Sequence, residues 1–312
     1  MKKQHYVPRF YLENWALPNT YQVYVYDIVN QKVRVSNITD VACENYFYDL
    51  DCFEKVEDRQ FIENFFSKKI ENDYSKLLTK IINRVNCMNQ WEREKCYFVS
   101  EEDKASLSVF LALQFLRTKT VRNSIIEMSN CLQQILNDMG VPEETKMEYS
   151  VSKDESKYIH AEMIFDSEHI VEMATRFASL TWILIVNKTE QSFFTSDTPI
   201  GMQGHIKNDF MSMSGIQSEG IEIYFPLSPN MMLVMYDGNY HKHVQPYERR
   251  LVENDDIEIV RYYNSLCLAR CNRTVFAMKN DFSIIDEILE NNPDVFKRKR
   301  ISAAYGGKTY TA

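Results

Sequence analysis

The longest unbroken periodicity in the chain runs from Ser100 to Met139, and the rest of the fold has to be built around it. From "SEEDKASLSVFLALQFLRT" onward, apolar residues recur at helical spacing until Gly140 and Pro142 stop them. Ser100 is placed to cap this helix, with Asp103 three residues on, close to a capping box. The spacing predicts a helix from about Glu101 to Met139. An earlier helical stretch covers Glu57 to about Asn86, marked by Phe61, Phe65, Ile70, Leu77 and Ile81. Two more are expected at 166–181 and from about Asn254 to Ala269.

The other segments alternate. "YQVYVYDIVNQKVRVSN" reads as a β-hairpin around Asn30-Gln31, with Val23, Val25, Val33 and Val35 marking the strands. "VACENYFYDL" is a short extended stretch. "TWILIVNKTEQSFFTSDTPI" reads as two strands around a turn, and "GIEIYFPLSPNMMLVMYD" as two more, broken by Pro226 and Pro229. "TVFAMK" is a final strand. Residues 143–165 are polar and read as a surface excursion or a seam. Helices come early and strands late, which predicts an α+β fold: a lobe of long antiparallel helices packed on a mainly antiparallel sheet. The expected organisation is one compact domain, 1–312, with lobes at 1–142 and 143–312 and no internal repeat.

Composition narrows the function. The 312 residues carry a net charge of −8, which argues against a general DNA-coating protein but leaves room for a local basic groove. The clearest basic run, Lys297 to Arg300, reads first as a solvated helix end and second as a nucleic-acid patch. Seven scattered cysteines include no CxxC pair, so neither a zinc ribbon nor a redox motif is supported. No signal peptide precedes the charged start and no apolar run is long enough to span a bilayer, so a reduced cytoplasmic protein without a membrane partner is expected. GxGxxG, P-loop, GxSxG and HExxH motifs are absent.

Polar residues with poor structural excuses mark the candidate site. Pro8 favours a short helix to Ala16, with Phe10, Leu12 and Trp15 available for burial. His5 would then precede a helix N-terminus, where the dipole lowers its proton affinity. Arg9, a cation in a first turn, needs a carboxylate or a ligand phosphate. The alternative is a structural His/Arg pair anchoring the chain end. In "FLALQFLRTKTVR", Gln114 and Arg117 share a face of an apolar helix and should meet a buried acid or line a pocket, with Glu44 and Asn45 as possible partners. Asp197 ends an apolar strand in "FFTSDTPI", either as an Asx-turn or as general base, metal ligand or partner of Arg9. His241-x-His243 has metal-binding spacing but reads more simply as exposed loop histidines. His160, His169 and His205 have no ligand-like neighbours in the sequence.

"HYVPRFYLENW", "ENYFYD", "LALQFLRT", "TSDTPI" and "FPLSPN", in that order, resemble a large, mainly bacterial family, domain of unknown function forty-two thirty-eight. The resemblance spans nearly the whole chain. His5, Pro8, Arg9, Tyr11, Asn45, Tyr48, Gln114, Arg117, Ser196, Asp197 and Pro199 stand at matching positions. Trp15 departs from the phenylalanine more common there. The resemblance sharpens these sites without implying a reaction.

Two readings follow. In the first, the chain is a phosphodiesterase- or nuclease-like effector, of toxin or phage-defence type, acting on nucleic acid or a nucleotide. His5 would be the acid/base, Arg9 and Arg117 would stabilise phosphate charge with Gln114 beside them, and Asp197 would be base or ligand of a divalent metal, although no metal motif is present. In the second, it is a binding or sensor protein in which the same set forms a structural polar network. A protein partner or a homo-oligomer is compatible with either.

Overall fold

The register from Ser100 to Met139 is helical, but it is not one helix. The computed structural model, which describes residues 2–207, 213–292 and 301–312, divides it into Glu101–Leu116 and Lys119–Asp138. Two side chains cause the break. The Leu116 carbonyl accepts from His160 Nε2 at 2.7 Å, and the Arg117 carbonyl accepts from the Tyr48 hydroxyl at 2.9 Å. An unbroken helix would give both carbonyls to amides four residues on. Thr118, extended at ψ 153°, then starts the next helix. Ser100 caps as its position requires, accepting from the Asp103 amide at 3.0 Å, while Asp103 itself turns to Lys80 at 2.7 Å.

The earlier helical stretch is also divided, into Val56–Arg59, Phe61–Phe65, a π-helical turn Phe66–Ile70 and Glu71–Cys87. The polar segment after Gly140, read as an excursion, forms helices Glu143–Met147 and Glu155–Phe165. The second of these buries Ala161, Ile164 and His160, which the polarity of its other residues conceals. The expected helix near 166–181 is Ser167–Ser179, packed along Glu101–Leu116, and the last expected helix is Ile257–Arg270.

Strand β1 (Lys3–His5) pairs antiparallel with β4 (Cys43–Asn45), Lys3 opposite Asn45 and His5 opposite Cys43. Between them in sequence lies the expected hairpin, β2 (Gln22–Asp27) with β3 (Lys32–Asn37). The segment from Thr181 to Ile200 was expected to form two strands around a turn. Its strands, β5 (Thr181–Asn187) and β6 (Thr195–Ser196), instead join different sheets. After β7 (Gly201–Gly204), β8 (Ile221–Ser228) and β9 (Met231–Tyr236) form a buried hairpin, with Pro226 inside β8 at a register irregularity. The sequence closes these sheets with β10 (Arg250–Asn254) and β11 (Thr274–Ala277). One sheet has the order β10-β5-β9-β8-β7, antiparallel except for the parallel β10–β5 pair; the other runs β3-β2-β11-β6. The fold is α+β. The basic run Lys297 to Arg300 lies outside the described residues.

The N-terminus is fastened to both large sheets. Pro8 is followed by helix Arg9–Leu12 and a 3-10 turn Glu13–Trp15. The Tyr11 hydroxyl reaches Thr195 Oγ1 at 2.6 Å and donates to the Pro226 carbonyl at 2.8 Å, its ring stacked on Phe225. Trp15 Nε1 donates to the Phe193 carbonyl at 3.2 Å. Leu12 and Trp15 are fully buried and Phe10 is half-buried, so the chain end is part of the main core.

Candidate functional site

Burial of β1 at the N-terminal end of the core leaves its carbonyls to be met by side chains. Arg117 Nη2 donates to the His5 carbonyl, and Gln114 Nε2 donates to the Tyr6 carbonyl at 3.1 Å. Two residues one helical turn apart therefore clasp consecutive carbonyls, which their shared face permits. The acid that Arg117 meets is the half-buried Glu71, at 3.2 Å, rather than Glu44 or Asn45. Glu44 pairs with Lys119 instead. The Arg117 guanidinium also lies 4.0 Å from the centre of the Phe66 ring.

The His5 imidazole is buried and its Nε2 has no hydrogen-bond partner. Burial, aided by the Arg9 and Arg117 charges, pushes its pKa down to about 4, so it is neutral at pH 7. Arg9 is exposed on a separate cleft of about 560 Å³, beside Thr39 and Glu71. His5, Gln114 and Arg117 are thus brought together, with Arg9 near enough to act on His5 through its charge.

Asp197 is bound elsewhere. It accepts from the amides of Asn272, Arg273 and Thr274 at 2.8, 2.8 and 2.9 Å and from the Thr274 hydroxyl at 3.2 Å. These four donors, three of them on Oδ2, fix the entry into β11. Burial lifts its pKa to about 6 against the pull of the same donors, and it is ionised at pH 7. Its four donors come from Asn272, Arg273 and the first residue of β11, Thr274, and none belongs to β1 or to the Glu101–Leu116 helix.

A larger cleft, of about 1040 Å³, opens beside β4 and carries a residue that the sequence reading passed over. Six cations line it (Lys2, Arg59, Lys119, Arg122, Lys153 and Lys157) against four carboxylates, in a chain whose net charge is −8. Arg122 is buried within this lining, one turn into the helix that Thr118 starts. Its Nη1 donates to the Phe47 carbonyl, and its Nη2 lies 2.9 Å from His160 Nδ1. Its guanidinium sits 3.7 Å from the centre of the Phe47 ring.

These contacts set the His160 tautomer. Facing a guanidinium, Nδ1 must accept, so Nε2 carries the proton and donates to the Leu116 carbonyl. Burial and the Arg122 charge push the His160 pKa down to about 3. Burial lowers the Arg122 pKa to about 10, which leaves it charged at pH 7. No carboxylate among the described residues stands within ion-pair distance of it. The sequence signal was present: Arg122 ends the "FLRTKTVR" run, but on a continuous helix it would have pointed away from Arg117.

The histidines read as lacking neighbours also need correction. His160 holds Arg122, and His205 Nε2 lies 2.6 Å from the buried carboxylate of Glu222. Glu222 also accepts from Tyr263 at 2.7 Å and from Tyr262 at 3.2 Å. The His241 ring stands 4.9 Å from His205 and 6.0 Å from His243. Among the described residues, no three His, Cys, Asp or Glu side chains are placed to hold a metal ion, at Asp197 or at His241-x-His243. No described helix is long and apolar enough to cross a membrane.

A family model, Protein of unknown function (DUF4238), matches residues 3–281. No curated protein and no solved structure matches the chain.

Proposed function

The chain belongs to the DUF4238 family, and from its own residues we propose that it binds a nucleotide or a nucleic-acid segment by its phosphate in the cleft that contains Arg122. The observation that carries this reading is a buried guanidinium with no carboxylate in ion-pair contact among the described residues, Glu44 acting on it only at longer range. Burying a charge without its counter-charge is costly, and a phosphate oxygen supplies the missing anion with charge-assisted hydrogen bonds. Neutral His160 and the Phe47 ring orient the guanidinium without cancelling its charge. Lys153 and Lys2 add positive potential at the rim.

The sequence-predicted set supports this cleft from behind. Gln114 and Arg117 fix β1, and β1 fixes β4 and the cleft wall that follows it. The engagement of Asp197 by four donors at the entry to β11 and the Glu71 pairing of Arg117 favour a binding protein over a phosphodiester-cleaving centre assembled from His5, Arg9, Gln114, Arg117 and Asp197.

Fluorescence anisotropy with a labelled single-stranded RNA of roughly ten nucleotides, a length that spans one such site, tests the reading. Arg122→Met is expected to weaken binding by about tenfold or more and to reduce the log–log salt slope by about one. Exposed Lys153→Ala, which leaves the core untouched, should weaken binding less and in the same direction. Equal affinity for wild type and both variants at matched melting temperature would overturn the proposal.

A further inference from the structure

The three aromatic residues after β4 face different ways. Phe47 and Tyr48 are buried, with the Phe47 ring against Arg122 and the Tyr48 hydroxyl bound to Arg117. Tyr46 is half exposed and lines the cleft. Its φ is +55°, in the left-handed region, which an aromatic residue rarely adopts. That conformation is held from both sides: the Tyr46 amide donates to the Lys2 carbonyl at 2.8 Å, and its carbonyl accepts from the Asp49 amide at 3.3 Å. Asparagine or glycine would hold the same turn without strain. What the strain preserves is an aromatic face at the cleft. Of the two aromatic residues that line it, Phe47 already has its ring against the guanidinium, so Tyr46 is the ring free to stack.

A free aromatic face in one cleft with a guanidinium and several lysines matches the chemistry of an unpaired nucleobase joined to a phosphate. A base inside a duplex has both faces covered and cannot use such a ring. We infer that Tyr46 stacks on an unpaired base whose phosphate sits at Arg122, so that the cleft selects a single strand or a free nucleotide over a duplex. This rests on the phosphate-binding reading of the cleft.

The test compares the labelled single-stranded RNA with a blunt duplex of the same sequence, and uses ATP as a competitor. Proteins are wild type, Tyr46→Asn, Tyr46→Phe and Arg122→Met. Asparagine tolerates a positive φ, so Tyr46→Asn removes the ring while keeping the turn. The single strand is expected to bind wild type about tenfold or more tighter than the duplex. Tyr46→Asn should lose most of that preference, and Tyr46→Phe should keep it. Competition by ATP supports the inference with a free nucleotide as source; failure to compete, with the strand preference intact, supports it with a polynucleotide as source. Equal binding of strand and duplex, or an undiminished preference in Tyr46→Asn while Arg122→Met still weakens binding, overturns the stacking role alone. Failure of wild type to bind any of these phosphate ligands overturns both the stacking role and the cleft reading beneath it.

Discussion

Arg117 and Arg122 stand on either side of the helix break at Thr118 and are buried in opposite ways. Each guanidinium lies over a phenylalanine ring, Phe66 or Phe47, and each donates to a backbone carbonyl, of His5 or Phe47. They differ in what answers the charge. Arg117 has the carboxylate of Glu71, whereas Arg122 has the neutral imidazole of His160. A neutralised buried cation is a finished piece of structure, while one held only by neutral groups still has an anion to gain. On the proposed reading, Arg117 belongs to the region that builds the fold and Arg122 to the region that meets a ligand.

The largest expected effect breaks the first of these. Arg117→Met leaves Glu71 and the His5 carbonyl unpaired, and should cost about 3–4 kcal/mol, the lower part of the range for breaking a buried ion pair, because Glu71 keeps some contact with water. Arg122→Met leaves only neutral acceptors and should cost about half that or less. Chemical denaturation of both variants checks the ratio. Equal losses would mean that Arg122 is as structural as Arg117.

Asp197 has no counter-charge in ion-pair contact among the described residues, but four neutral donors at the start of β11 and just before it hold its carboxylate in place. Asp197→Asn replaces an acceptor of four hydrogen bonds with an amide whose nitrogen faces donors. The expected cost is about 2–3 kcal/mol, with RNA affinity unchanged once the protein is folded. Degradation of cellular RNA or DNA on expression of wild type, lost in a stable Asp197→Ala variant, would instead return Asp197 to the chemistry.

Local signals were legible in the sequence. Ser100 capping its helix, Pro8 starting one, and Gly140 with Pro142 ending the long register each depend on neighbours within a few residues. The break at Thr118 was hidden because the side chains that take its carbonyls lie 69 residues away at Tyr48 and 44 away at His160. Arg117 and Gln114 were recognisable as polar groups on an apolar helix, but Glu71 was not identifiable as the acid for Arg117, since only packing of two helices brings it there. Arg122 was missed for the same reason as the break: on a continuous helix its direction is wrong. The burial of His160 likewise depended on a helix that its polar segment conceals.

Titration of His160 gives a smaller effect that sharpens the comparison. Its folded pKa of about 3 lies below its ordinary value of 6.5. The unfolded chain therefore binds the proton first, and acidification from pH 6.5 toward 4 removes stability. Glu63 opposes this, because burial raises its folded pKa to about 7 and acid then favours the fold. His160→Gln keeps an acceptor for Arg122 and a donor for the Leu116 carbonyl but cannot titrate. The stability lost between pH 6.5 and 4 should shrink by about 3 kcal/mol in this variant, whatever its stability at pH 7. An unchanged slope would mean that burial and the Arg122 charge do not exclude the proton from His160, and that the imidazole does not hold the guanidinium in the way its contacts imply.

The smallest expected effect concerns the ring at the cleft. If Tyr46 holds its positive φ in order to present an aromatic face, removing the ring while easing the backbone should help the fold. Tyr46→Asn is expected to stabilise the protein by about 0.5–1 kcal/mol, the scale of a relieved left-handed residue offset by lost side-chain contact. Urea denaturation resolves a difference of that size when both transitions share one slope. A variant that is slightly more stable and binds RNA less well is the signature of strain kept for function. A variant that is less stable would place Tyr46 with Phe47 and Tyr48, as a ring packed for the fold. The cleft would then have phosphate chemistry at Arg122 but no face on which to stack a base.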